Sequence, residues 1–180
     1  VPKDAAYGDF ANRGVSTWKP VKGARRIIAV TVDARLLELD AATGKAIASF
    51  GENGEVNLRN GLRIAPRNFS DYEETSPPAI AGDTIVVGSG IADNRATDQP
   101  SGEVRGYDAI TGKLKWTWHP ISADPKAPGA ANTLSVIAAD PERGLVFLPV
   151  GSPSPDYYGG ERPGDNLYAN SIVALKASTG

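Results

Sequence analysis

One turn motif, repeated at a fixed period, constrains this chain more than any other feature. Asp40-Ala41-Ala42-Thr43-Gly44-Lys45 returns as Asp108-Ala109-Ile110-Thr111-Gly112-Lys113, and Lys176-Ala177-Ser178-Thr179-Gly180 ends the chain. The three glycines are equally spaced by 68 residues, from 44 to 112 and from 112 to 180. In such a turn the Asp side chain accepts from the backbone ahead of it, and Gly supplies a positive φ. Each copy follows an apolar or alternating stretch, at 35–39, 103–107 and 171–175, and the first two are followed by apolar stretches at 46–50 and Leu114–Trp118. Strand, turn, strand predicts a hairpin at each copy. Further hairpins are predicted at 79–87 and 135–148, and no window carries a sustained helical period.

Four short strands per repeat predict an all-β chain of two to three four-stranded antiparallel blades from a β-propeller. A β-sandwich gives no reason for a motif to recur at equal intervals. Long Gly- and Pro-rich loops at 51–78, 93–102 and 152–170 are where a rigid sheet scaffold usually carries its binding chemistry. Because Gly180 falls at the turn, ahead of the strand that should follow, residues 1–180 are expected to be a single-domain piece of a larger ring, truncated at both ends.

Composition narrows the functions. The net charge of −2 shows no basic excess, which argues against nucleic acid as a partner. Cysteine is absent, so disulfides and thiolate metal sites are excluded and no compartment is indicated. No apolar run approaches the roughly 20 residues of a membrane span, and Val1-Pro2-Lys3-Asp4 does not open a signal peptide.

The stretch Gly106-Tyr107-Asp108-Ala109-Ile110-Thr111-Gly112-Lys113-Leu114-Lys115-Trp116 resembles the tryptophan-docking repeat of quinoprotein propellers, in which the Trp packs on the next blade; Ala48 stands at the Trp position of the first copy. Other segments follow in order: Asn12-Arg13-Gly14-Val15-Ser16-Thr17-Trp18, Thr31-Val32-Asp33-Ala34-Arg35-Leu36, Thr75-Ser76-Pro77-Pro78, Ala92-Asp93-Asn94, Ser101-Gly102-Glu103-Val104-Arg105-Gly106 and Asp156-Tyr157-Tyr158-Gly159-Gly160. Together they resemble the membrane-bound glucose, polyol and quinate type of pyrroloquinoline quinone (PQQ)-dependent dehydrogenase. The resemblance implies an eight-bladed ring. Lack of the paired cysteines of the alcohol dehydrogenase branch favours the glucose-like branch.

PQQ is a flat ring system with three carboxylates and an ortho-quinone, so its site needs a cation, rim donors and flat walls. The resemblance makes Arg13 the carboxylate partner, a role suited to a guanidinium fork. It gives Thr31 and Asn132 rim hydrogen bonds, and Ser89-Gly90 a turn that lets backbone approach the ring. It places calcium or magnesium on Asp93 and Asn94, hard oxygen donors, with Ser152 as a third ligand and Ser154 as its alternative. Leu134 falls where the family has a tryptophan floor; reduced affinity, a one-residue misalignment or loss of the cofactor would each account for it. The single histidine, His119, lacks triad partners in the sequence and reads as structural.

The implied reaction is oxidation of a sugar, polyol or cyclic alcohol, with electrons passing through PQQ to ubiquinone on the periplasmic face of the inner membrane. The catalytic carboxylate is expected beyond Gly180, leaving this stretch without turnover of its own, and the remaining blades are its partners. A cofactor-free propeller scaffold is the alternative, favoured by Leu134 and by the altered first docking motif. A sugar-binding all-β domain has only generic loops in its support.

Overall fold

The computed structural model describes residues 10–121 and 129–180. Among them are thirteen strands and no α-helix. In chain order the strands are β1 (Ser16–Trp18), β2 (Arg26–Val30), β3 (Arg35–Asp40), β4 (Glu55–Asn57), β5 (Tyr72–Glu73), β6 (Ala79–Ala81), β7 (Thr84–Val87), β8 (Gly90–Ile91), β9 (Val104–Asp108), β10 (Leu114–Trp118), β11 (Ala138–Asp140), β12 (Leu145–Val150) and β13 (Ser171–Lys176).

They form three antiparallel sheets, β1-β2-β3-β4, β6-β7-β9-β10 and β11-β12-β13, and a small ribbon, β5-β8. The first strands of the three sheets lie side by side, with β6 packed on both β1 and β11. This is how blades gather around an axis. Residues alternate as a two-sided sheet requires: in β3 Leu36 and Glu38 are buried between half-buried neighbours, and in β12 so are Val146, Leu148 and Val150. One core fills the space between the first and second sheets, around Ile28, Leu36, Phe50, Tyr72 and Ile85. Another lies between the second and third, around Val86, Val104, Trp116, Val146 and Leu148.

The repeated turns share one geometry. Asp40 Oδ1 accepts from Thr43 N and Thr43 Oγ1, both at 2.8 Å, while Gly44 adopts φ 69°. Asp108 Oδ1 accepts from Thr111 N at 2.8 Å and Thr111 Oγ1 at 2.7 Å, with Gly112 at φ 72°. These hydrogen bonds hold the Asp108 carboxyl below its ordinary range against the opposing effect of partial burial. Gly180, at φ 71°, donates to Lys176 O at 2.8 Å.

Trp116 joins the second blade to the third. Its Nε1–H donates to Ala177 O at 2.8 Å, and its indole lies between Gly106 and Gly180. A Cβ on Gly106 would come within 2.2 Å of the ring and one on Gly180 within 2.7 Å, so both positions must stay bare. Between the first and second blades, Trp18 Nε1–H donates to Gly82 O at 3.1 Å and Gly51 N–H to Thr111 O at 2.9 Å.

The first repeat departs from the expected hairpin. Residues 46–50 keep a single bridge, Ala46 to Leu39, and then turn. With Ala48 at the Trp position, the chain inserts Phe50 into the core with no exposure, and reverses through Gly51 and Gly54 at φ 53° and 97°. The fourth strand is therefore β4, pairing Leu37 with Glu55. Among the described residues, the third sheet has three strands.

Candidate cofactor site

The loops converge on a cleft of about 280 Å³. One wall is the β5-β8 ribbon, in which Glu73 pairs with Gly90 and Tyr72 with Ile91. Leu134 also lines the cleft, at the end of the 129–134 segment, which is bound to the second blade through Ser89 N–H to Thr133 O at 3.2 Å and to the third through Gly151 N–H to Asn132 O at 2.8 Å. A Cβ on Gly90 would lie 2.9 Å from Glu73 O and 3.1 Å from Leu134 Cδ1, so the missing side chain is what lets the ribbon and Leu134 close on one another.

Asn132 fastens the site. Buried at 5% exposure, it accepts from Ile91 N–H at 2.7 Å and donates to Ile91 O at 3.2 Å and to Asp93 Oδ2 at 2.5 Å. Burial raises the Asp93 carboxyl above its ordinary pKa; the Asn132 hydrogen bond opposes this and the nearby Asp156 carboxylate adds to it. Asp156 N–H donates to Asp93 O at 3.1 Å, and Asp156 Oδ1 is buried without a hydrogen-bond partner. Asp93 and Asn94 line the cleft with oxygen donors of the kind a hard cation takes, and the Asp156 carboxylate is close enough to act on Asp93.

At the rim, Arg13 N–H donates to Thr75 O at 2.8 Å and its guanidinium to Thr75 Oγ1. Thr75 in turn lines the cleft. Ser76 Oγ–H donates to Leu134 O, fixing the segment that carries Leu134. Behind β5, Tyr72 O–H donates to Glu74 Oε1 at 3.0 Å and accepts from Arg105 Nη2–H at 2.9 Å. Arg105 also donates to Asn60 O at 3.0 Å and to Leu58 O, and lies 5.8 Å and 5.7 Å from the Tyr72 and Tyr107 ring centres. Burial pushes Glu74 up to about 7 and Tyr107 up to about 12.

The structure thus brings Gly90, Asp93, Asn94 and Leu134 to one cleft, with Asn132 bonded to Asp93 and Arg13 bonded to Thr75. Thr31 lies in the β2–β3 turn, where its hydroxyl accepts from Arg35 N–H at 3.1 Å. Ser89 is buried beneath the ribbon, its hydroxyl unpartnered and facing Gly102. Ser152 Oγ–H donates to Asn170 Oδ1 at 3.0 Å, and Ser154 Oγ–H to Ala96 O at 2.7 Å. None of these four hydroxyl residues lines the cleft. His119 Nδ1 sits 3.9 Å from the buried Glu103 carboxylate, and burial lowers its pKa. Sequence reasoning missed Glu73, Arg95 and Asp156 as parts of the site; Arg95 directly follows the Asp93-Asn94 pair, which was the available signal.

Residues 1–180 match the family described as PQQ glucose/ethanol/alcohol dehydrogenase, β-propeller domain. The chain belongs to that family. It is 47% identical over 169 residues to a quinate/shikimate dehydrogenase (quinone) of Acinetobacter baylyi, covering 87% of this chain and 20% of that protein. It is 39% identical over 166 residues to quinoprotein glucose dehydrogenase A of Acinetobacter calcoaceticus, covering 87% and 20%. Among solved structures, a quinohemoprotein alcohol dehydrogenase from Comamonas testosteroni superposes with a TM-score of 0.76 at 28% identity, over 96% of this chain and 26% of that one. The chain therefore spans about a fifth of the length of the curated PQQ dehydrogenases it matches. Its fold is that of their propeller blades.

Proposed function

We propose that this chain supplies part of the PQQ and cation site of an enzyme that oxidises a sugar, polyol or cyclic alcohol. What carries the reading is the convergence, in one cleft, of the Asp93-Asn94 pair, the bare Gly90 edge, Leu134 and the Arg13–Thr75 contact. The residues present fit the cofactor: Gly90 and Leu134 line the cleft where a flat ring would lie, Arg13 stands at its rim as the cation for a carboxylate, and Asp93, Asn94 and Asp156 offer oxygens to calcium or magnesium. Bound there, PQQ would supply an ortho-quinone that accepts two electrons, and the cation a Lewis acid. Asn132 holds the Asp93 carboxylate in place for the cation. Leu134 and the β5-β8 ribbon, packed together, would shield one side of the ring from water. The carboxylate that removes the substrate proton is assigned to a later blade, by resemblance to the family.

Electrons are proposed to pass on to ubiquinone at the periplasmic face of the inner membrane. The quinone in the name of the Acinetobacter baylyi relative supports that acceptor. Among the described residues no helix is long and apolar enough to cross a membrane. A cofactor-free scaffold is the second reading, favoured by Leu134 in place of the family's tryptophan and by Ala48 in the first docking motif.

Calorimetric titration of the full-length protein with PQQ, with and without calcium, separates the two readings. Calcium-dependent binding that is lost in Arg13→Ala and Asp93→Ala supports the cofactor site. No binding to the full-length protein in either condition establishes the scaffold.

A further inference from the structure

Arg95 lines the cleft and has no role in the cofactor reading. Its guanidinium is fixed from behind: Nη1–H donates to Asp71 Oδ1 at 2.9 Å and Nη2–H to Ser70 Oγ at 3.1 Å. Asp71 is itself immobilised, because its second oxygen accepts from Arg67 N–H at 2.9 Å and Asn68 N–H at 3.1 Å. The Asp71 side chain is 4% exposed, whereas Arg95 lines the cleft and remains 52% exposed. A guanidinium carries five N–H donors. Those two bonds leave three of them, and the open face of the fork, for a ligand. Asp71 offsets the Arg95 charge, and the remaining donors of a guanidinium fixed in this way match a planar carboxylate better than a single neutral hydroxyl.

We propose that Arg95 is a specificity-determining residue that binds the carboxylate of a hydroxylated carboxylic acid substrate, so that the enzyme prefers hydroxy acids to neutral sugars and polyols. This rests on the cofactor reading of the same cleft. Holding a planar carboxylate in two parallel hydrogen bonds would place a ring or chain hydroxyl of the acid toward the Asp93 end. Arg67, 63% exposed and paired with Asp98, directly precedes the 68–71 turn without lining the cleft and serves as the control.

The test uses the full-length protein reconstituted with PQQ and calcium, as wild type, Arg95→Gln, Arg95→Lys and Arg67→Gln. KM and kcat are measured for a cyclic hydroxy acid and for a neutral polyol. Calorimetry follows the binding of cyclohexanecarboxylate, which carries the carboxylate and no oxidisable hydroxyl, and separately the binding of PQQ. The expected result in Arg95→Gln is a roughly ten- to hundredfold rise in KM for the acid and a matching loss of cyclohexanecarboxylate affinity. The polyol KM and the PQQ affinity stay within about twofold, Arg95→Lys recovers part of the loss, and Arg67→Gln behaves as wild type. Equal loss for acid and polyol would overturn the proposal, making Arg95 a pin for the 68–71 turn. Loss of PQQ affinity would overturn it in favour of a cofactor contact. If wild type binds no PQQ, the cofactor reading itself fails, and that outcome is seen before any variant is compared.

Discussion

Replacing Trp116 by alanine tests how the blades are joined. The side chain is 8% exposed, lies against the bare backbones of Gly106 and Gly180, and donates to Ala177 O on the next blade. Removing a buried tryptophan costs about 3–5 kcal/mol in transfer and cavity terms. The orphaned Ala177 carbonyl adds about 1 kcal/mol. At roughly 2–4 °C per kcal/mol for a chain of this size, the melting temperature should fall by roughly 10 °C or more. Trp116→Phe keeps most of the packing and loses the hydrogen bond, so it should cost only about 1–2 kcal/mol. Urea unfolding followed by far-ultraviolet circular dichroism measures both variants against wild type. A Trp116→Ala cost below about 1 kcal/mol would refute the claim that this indole docks the second blade onto the third.

Three further outcomes are expected. Asn132→Ala should weaken calcium binding by roughly 10- to 100-fold, read by calorimetry, because Asp93 loses the amide that orients it; unchanged affinity would remove Asn132 from the site. Gly90→Ala should weaken PQQ binding while the far-ultraviolet spectrum stays native, since its Cβ would lie 2.9 Å from Glu73 O and 3.1 Å from Leu134 Cδ1. Burial holds Glu38 and Glu74 up at about 7, from an ordinary value of 4.5. The folded chain therefore keeps protons that the unfolded chain has released, and stability should fall as pH rises from about 4.5 through 7, by at most on the order of 3 kcal/mol per group. Urea midpoints at pH 5 and pH 8 should differ less in Glu38→Gln and Glu74→Gln than in wild type; equal differences would show that neither group carries the effect.

The repeat was legible because it is local chemistry: Asp40, Thr43 and Gly44 specify their turn without help from elsewhere, as do Asp108, Thr111 and Gly112. The first fourth strand was not, because apolar residues at 46–50 read equally well as a strand and as a core insertion. Phe50 settles into the core only once Ala48 has left the docking position empty. Within the site, Asp93 and Asn94 are adjacent in the chain and stand out together. Asp156 and Asn132 reach Asp93 from other loops, and nothing in their local sequence announces that meeting. Hydroxyl residues were the hardest to assign, since a serine or threonine serves a turn as readily as a ligand. Thr31 and Ser152 both spend a hydroxyl bond on their own loops.

The positions of the cation and the quinone decide between the two readings. A crystal structure of the full-length protein with PQQ and calcium, with anomalous data to locate the metal, measures them directly. The expected result is a metal peak at about 2.3–2.6 Å from Asp93 carboxylate oxygen, with the ring in the cleft that Gly90 and Leu134 line and a ring carboxylate on Arg13. A metal peak away from Asp93, or a ring bound outside this cleft, would contradict the cofactor reading.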